Sequence, residues 1–192
     1  MIPGPAGTLE AALSGTSADI IAVLCHPHPL YGGSMDDGVL AVLSQVLEAG
    51  GAGCLRFNFR GVGASSGAYN GNGGEVDDLR AVLEWQAAEF PGRQLWLGGY
   101  SFGASIVSQL AAATSATKVL LIAPPAGHLP LVQPDGGMPV DIIVGDNDAF
   151  VDIGALSDWP ADRIHIIEGA DHFFSGARDA LTAAIEGCLA RA

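Results

Sequence analysis

The sequence predicts one α/β domain over residues 1–192, built on a mainly parallel sheet of about six to seven strands with helices on both faces. Three observations lead there. Short apolar runs of strand length alternate with longer segments of helical periodicity, and parallel strand pairs require such crossovers. The runs are apolar at successive positions rather than alternate ones, as strands buried on both faces must be. Hydrophobic residues make up 49% of the 192, with mean hydropathy +0.35, enough for a sizeable core.

The elements follow in order. A first strand is expected near residues 8–13, and a second, IIAVLC, at 20–25. Residues 36–49 carry a helix through Val39, Leu40, Leu43, Val46 and Leu47, stopped by Gly50, Gly51 and Gly53. CLRFNF at 54–59 is the next strand, and a glycine-rich loop fills 61–74. A helix at 75–89 opens with acids and should bury Val76, Leu79, Val82, Leu83 and Trp85. Strands at 94–98, 118–123, 140–144 and 163–167 follow, with helices at 101–113 and about 177–189. Pro91-Gly92 and Pro124-Pro125 punctuate the pattern.

Charge narrows the partners. Lysine and arginine total 8 against 21 acids, for a net charge of −13, and Lys118 and the arginines are scattered. Such a surface repels phosphate backbones and anionic bilayers, so neither nucleic acid nor membrane is expected as a partner. The start, Met1-Ile2-Pro3-Gly4, has no basic segment, and no apolar run reaches spanning length, so neither a leader nor a spanning helix is expected. Cys25, Cys54 and Cys188 show no paired spacing. Cys25 and Cys54 sit in apolar runs and read as buried thiols, and a reducing, cytoplasmic setting is expected. Monomer and homodimer both stay open.

In parallel sheets, function gathers at the carboxyl ends of the strands. There, Gly99-Tyr100-Ser101-Phe102-Gly103 reads GxSxG, follows a strand at once and opens a helix at once. This is the context of a nucleophile elbow, in which a strained turn presents the serine clear of the sheet. Glycine is needed at 99 and 103, where a side chain would meet backbone. Gly63-Ala64-Ser65-Ser66-Gly67 has the same pattern but runs into more loop, so Ser65 reads as a loop residue.

An elbow serine needs a base and an orienting acid, which follow it in the order acid, then histidine. His172, just past the last strand, is the expected base. His165 lies inside a strand and His128 in a distant loop. Val144-Gly145-Asp146-Asn147-Asp148 supplies the acid. Asp148 leads, because a turn must swing the carboxylate back toward His172, and Asp146 is the runner-up. Two backbone N–H groups should hold the oxyanion. One is that of Phe102. The other comes from His26-Pro27-His28-Pro29-Leu30-Tyr31-Gly32-Gly33, with Leu30 preferred and Tyr31 the alternative. Gly32-Gly33 would let backbone pass close to the ligand.

Other readings are weaker. Cys25, His26 and His28 have the flavour of a metal site but lack further ligands, so no metal is expected. Residues 61–67 miss the dinucleotide fingerprint, no phosphate-binding GxxxxGK[ST] loop exists, and no cofactor is expected. Arg56, Asn58 and Arg60 should be braced by Glu75, Asp77 and Asp78. Tyr31, Met35, Tyr69, Phe102, Phe150 and Phe173 are candidates to line a substrate pocket.

Taken together, HPHPLYGGSMDD at 26–37, RFNFRGVGASSG at 56–67, GGEVDDLRA at 73–81, GGYSFGA at 98–104, APP at 123–125 and DHFF at 171–174 resemble the α/β-hydrolase superfamily. Within it they are most similar to the small, lidless, dienelactone-hydrolase-like bacterial branch. The resemblance implies an α/β-hydrolase fold without a cap domain and a triad of Ser101, Asp148 and His172. Gly145-Asp146-Asn147-Asp148 matches the branch's acid turn, glycine followed by two residues and aspartate. The implied activity is hydrolysis of small or short-chain carboxylic esters through an acyl-enzyme. Thioester, lactone or peptide cleavage would use the same groups, and a non-catalytic binding protein of this fold is the alternative from another class. Serine stands where dienelactone hydrolase has cysteine, so that particular activity does not follow.

Overall fold

The computed structural model describes residues 1–71, 73–134, 138–160 and 163–191. Seven strands form one sheet in the order β3-β5-β4-β6-β7-β8-β9. They are β3 (Ala11–Ser14), β4 (Ile20–Cys25), β5 (Gly53–Phe57), β6 (Gln94–Tyr100), β7 (Ala116–Ile122), β8 (Val140–Gly145) and β9 (Ile164–Ile167). All neighbours are parallel except the edge pair β3–β5, which is antiparallel with Leu13 opposite Leu55. A separate antiparallel ribbon pairs β1 (Ile2–Gly4) with β2 (Gly7–Leu9). The expected first strand at 8–13 is therefore two strands in different sheets, broken at Glu10.

The helices are α1 (Gly38–Ala49), α2 (Gly74–Glu89), α3 (Phe102–Ala111) and α4 (Arg178–Leu189). α1 packs on α4 and α2 on α3, giving two helical layers with the sheet between them. Burial on both faces explains the continuous apolar runs: Ile21, Ala22, Val23, Leu24 and Cys25 in β4 are all fully buried, as are Ile142, Ile143 and Val144 in β8. The segment between β7 and β8 holds no helix or strand among its described residues; 135–137 lie outside them.

Several boundaries shift for local reasons. Asp37 accepts hydrogen bonds from the N–H groups of Val39 (2.8 Å) and Leu40 (3.1 Å), so α1 begins at Gly38 rather than Asp36. β5 ends at Phe57 because the N–H of Asn58 turns to the Glu10 carbonyl. The buried face of α2 is less apolar than expected. Leu79 and Val82 are buried as predicted, but Glu75, Asp78 and Gln86 are buried beside them, while Val76, Leu83 and Trp85 are only partly covered. Asp78 is spent on Arg60, with Nη2–Oδ1 at 2.7 Å and the Arg60 N–H donating at 2.9 Å. That ion pair is the expected bracing of the 56–60 strand end. Arg56 instead donates to the Met35 carbonyl, and Asn58 bridges Met35 N–H and the Glu10 carboxylate.

Candidate active site

Three strand ends supply the site. β6 leads directly into Ser101, whose φ of 54° and ψ of −119° lie outside the usual region for a residue with a side chain. The turn survives because its neighbours lack side chains. A Cβ on Gly99 would come within 2.5 Å of the Gly103 backbone, and a Cβ on Gly103 would overlap the carbonyl of Cys25. Those absences seat the start of α3 on the end of β4. The Ser101 N–H donates to the Ile122 carbonyl at 2.9 Å, tying the elbow to β7.

β8 leads into the turn carrying Asp148, and β9 into the loop carrying His172. A Cβ on Gly145 would overlap the Ala170 carbonyl, so glycine there lets the two turns touch. The Asn147 N–H bonds the same carbonyl, and Asp146 accepts from the Gly169 N–H at 2.6 Å. Asp146, the runner-up acid, therefore fastens the turns together. Asp148 is the carboxylate that reaches the imidazole: His172 Nδ1 lies 2.7 Å from Asp148 Oδ2. The other Asp148 oxygen accepts from the Phe150 N–H at 2.8 Å. With Nδ1–H donating to the carboxylate, His172 Nε2 is left to accept from Ser101 Oγ at 2.9 Å. Ser101, His172 and Asp148 form one hydrogen-bonded chain, its inner end buried.

Two buried groups, Tyr100 and His26, hold this arrangement. Tyr100, 2% exposed, donates from its hydroxyl to the His172 carbonyl at 3.0 Å. Burial, with the nearby charges of Asp37, Asp148 and Asp171, raises its phenol well above the usual range and keeps it a donor. His26, fully buried, accepts the Phe59 N–H on Nε2 (3.0 Å) and donates from Nδ1 to the Pro27 carbonyl (2.6 Å). Desolvation lowers its pKa to about 4, so it is a neutral clamp on the loop that follows β4.

In that loop both expected oxyanion donors are already engaged. The Leu30 N–H is committed to His28 Nδ1 at 3.2 Å, and the Tyr31 N–H to the His28 carbonyl at 3.1 Å. Gly33 is required by the loop itself, since its Cβ would overlap the Pro27 carbonyl. No hydrogen bond among the described residues uses the N–H of Phe102 or of His28. The His28 ring packs on Phe102, centroids 4.8 Å apart, which sets the loop against the start of α3. Between Pro27 and Pro29, which have no N–H, His28 keeps its own N–H unengaged.

The pocket candidates fall into two groups. His28 contacts Tyr31, Tyr69 and Phe102 at centroid distances of 4.8–4.9 Å. Phe150 and Phe173 pack against the His172 ring, at 4.8 and 5.4 Å. Tyr31, Phe150 and Phe173 are exposed, whereas Met35 is buried. Ser65 is a structural peg, accepting from the Glu10 N–H and donating to the Asn58 carbonyl. His128 is exposed in its loop, and His165 lies by Asp141.

Cys25, His26 and His28 do not come together as metal ligands; the one such grouping among the described residues is Asp141, His165 and Cys188. There, guanidinium nitrogens of Arg163 and Arg191 lie 3.4 Å from Asp141, and Lys118 donates to the Cys188 carbonyl. The carboxylate already has its counter-charges, which opposes a further cation.

Comparison with known proteins identifies the family of this fold. A family model described as "alpha/beta hydrolase fold" matches residues 31–130. A lidless α/β serine hydrolase from Xanthomonas campestris is 36% identical, covering 99% of this chain and 92% of its own, with a TM-score of 0.89. An alpha-beta serine hydrolase homologue from Coxiella burnetii is 32% identical over 97% of this chain and 94% of its own, with a TM-score of 0.87. An uncharacterised protein of Rickettsia prowazekii is 35% identical, with 97% of this chain and 86% of its own covered.

Proposed function

The chain belongs to the alpha/beta hydrolase fold family, and from that premise we propose that it is a serine esterase acting on small carboxylic esters. The observation carrying this reading is the continuous chain from Ser101 Oγ through His172 to Asp148 at the ends of three parallel strands.

In the proposed reaction, His172 Nε2 takes the Ser101 proton as the oxygen attacks the ester carbonyl. The tetrahedral oxyanion is held by the N–H groups of Phe102 and His28, aided by the positive end of α3. The imidazolium, stabilised by Asp148, protonates the departing alkoxide and leaves Ser101 acylated. Water enters, gives its proton to His172, attacks the acyl carbon, and releases the carboxylic acid as Ser101 recovers its proton. Each step uses a side chain or backbone group of this chain, and the exposure of the aromatic side chains next to His172 and His28 favours substrates that need little enclosure.

A cytoplasmic setting fits three free, buried cysteines. No helix among the described residues is long and apolar enough to cross a membrane.

Fluorophosphonate labelling with peptide mapping, run beside a panel of alkyl esters, thioesters, lactones and peptides, tests the proposal. It predicts one adduct on Ser101, lost in His172→Ala, and turnover of the oxygen esters above the other classes. A folded protein that takes no label and turns over no ester would leave a non-catalytic binding role.

A further inference from the structure

Three aromatic rings pack on the His172 imidazole: Tyr100 at 5.5 Å between centroids, Phe150 at 4.8 Å and Phe173 at 5.4 Å. Tyr100 is buried and offers no surface to a ligand. Phe150 and Phe173 are 53% and 63% exposed. They stand edge to face, centroids 6.4 Å apart. Neither belongs to the hydrophobic core or to the partly buried side chains packed on it. One exposed apolar side chain is ordinary, but two phenyl rings left in water against the same catalytic imidazole call for a reason.

The turns that carry the triad also hold these two residues. The Phe150 N–H donates to Asp148 Oδ1 at 2.8 Å, while Oδ2 of the same carboxylate takes His172 Nδ1. Phe173 follows His172 directly, and its N–H donates to Asp171 Oδ1 at 3.1 Å. Chemistry then fixes what meets them. The oxygen of the departing alcohol must reach His172 Nε2 to be protonated. His172 is itself only 7% exposed, so the carbons on that oxygen lie against the residues that flank the imidazole and are open to solvent.

We propose that Phe150 and Phe173 form the leaving-group subsite and select esters of alcohols that carry an aromatic ring. The aryl group of the alcohol packs on the two phenyl rings, covering surface that the free protein leaves in water. This inference rests on the serine esterase reading and narrows its substrate class.

The test measures kcat/KM by pH-stat for 2-phenylethyl acetate and 2-cyclohexylethyl acetate. Both esters form the same acetyl-enzyme, so kcat/KM reports only the steps up to loss of the alcohol. The saturated ring has the larger apolar surface, so a wall that merely excludes water would favour the cyclohexyl ester. Contact between aromatic rings reverses that order, and the phenyl ester should lead by about 3–10-fold. Phe150→Leu and Phe173→Leu should each bring the ratio toward unity. Neither should move the ratio of ethyl 3-phenylpropanoate to ethyl 3-cyclohexylpropanoate, which carry the ring on the acyl half. A second assay needs no variant. An alcohol that attacks the acetyl-enzyme gives its proton to His172 from the same subsite, bonds the acyl carbon, and leaves Ser101 to recover that proton. With p-nitrophenyl acetate as donor, 2-phenylethanol should therefore capture more acetyl than equimolar 2-cyclohexylethanol. A tie or a cyclohexyl lead in either assay, no capture of 2-phenylethanol, or an alcohol-side ratio unmoved in both variants overturns the subsite. Variants that shift the acyl-side ratio instead overturn its assignment to the alcohol. Failure of the esterase reading looks different: Ser101 takes no phosphonate and no ester turns over.

Discussion

His26 carries two of the hydrogen bonds on which the loop beside Ser101 depends, and it can do so only while neutral. Its pKa is about 4 in the folded chain against an ordinary 6.5, so the unfolded chain binds the proton first. The stability this contributes is complete above pH 6.5 and is lost as pH falls toward 4, about 3 kcal/mol in all. Urea unfolding across that window should show the decline, and His26→Gln should flatten it while lowering stability at pH 7. A wild-type midpoint that does not move between pH 7 and 4.5 would contradict the assignment. Asp148 permits a sharper kinetic expectation. Asp148→Asn removes the acceptor that keeps the His172 proton on Nδ1, and kcat should fall by about 10⁴-fold with KM little changed. A loss under 10-fold would mean that another group orients the ring.

At the scale of elements, glycine separates what the turns require from what they tolerate. Gly99, Gly103 and Gly145 each have backbone where a Cβ would go, whereas Gly187 in α4 faces open space with ordinary helical φ. Gly99→Ala and Gly103→Ala should abolish soluble, phosphonate-reactive protein. Gly187→Ala should raise stability by about 0.5–1 kcal/mol, read as a higher thermal midpoint. The same contrast explains what could be read in advance. Long apolar strands and periodic helices announced themselves, and with them the places of Ser101, Asp148 and His172, because motif and chain order are properties of sequence. The β1–β2 ribbon did not, since three-residue strands containing proline and glycine have no periodicity. Nor did the burial of Glu75, which one face of a helical pattern gave to Val76 instead. That the Leu30 N–H, the expected oxyanion donor, is engaged by His28 Nδ1 was not legible either, because whether an N–H is already spent depends on folded geometry.

Across the whole molecule, the net charge of −13 includes acids near the serine, with Asp37, Asp148 and Asp171 acting on Tyr100 and Glu75 acting on Tyr69. Such a field acts on whatever approaches Ser101. The field adds nothing to the chemistry of a neutral ester but works against a substrate carrying its own carboxylate. Monoethyl succinate and ethyl butanoate differ in that charge while keeping an ethyl leaving group. At low ionic strength kcat/KM should be lower for the succinate by several-fold. Raising salt from about 10 mM to about 0.5 M shortens the screening length from about 30 Å to below 8 Å and should close most of that gap. The neutral ester should barely respond, which separates screening from any general effect of salt on the fold. A gap that persists at high salt would point to a local clash or an unpaired contact in the cleft, and no gap at any salt would mean that the surface charge does not reach the serine.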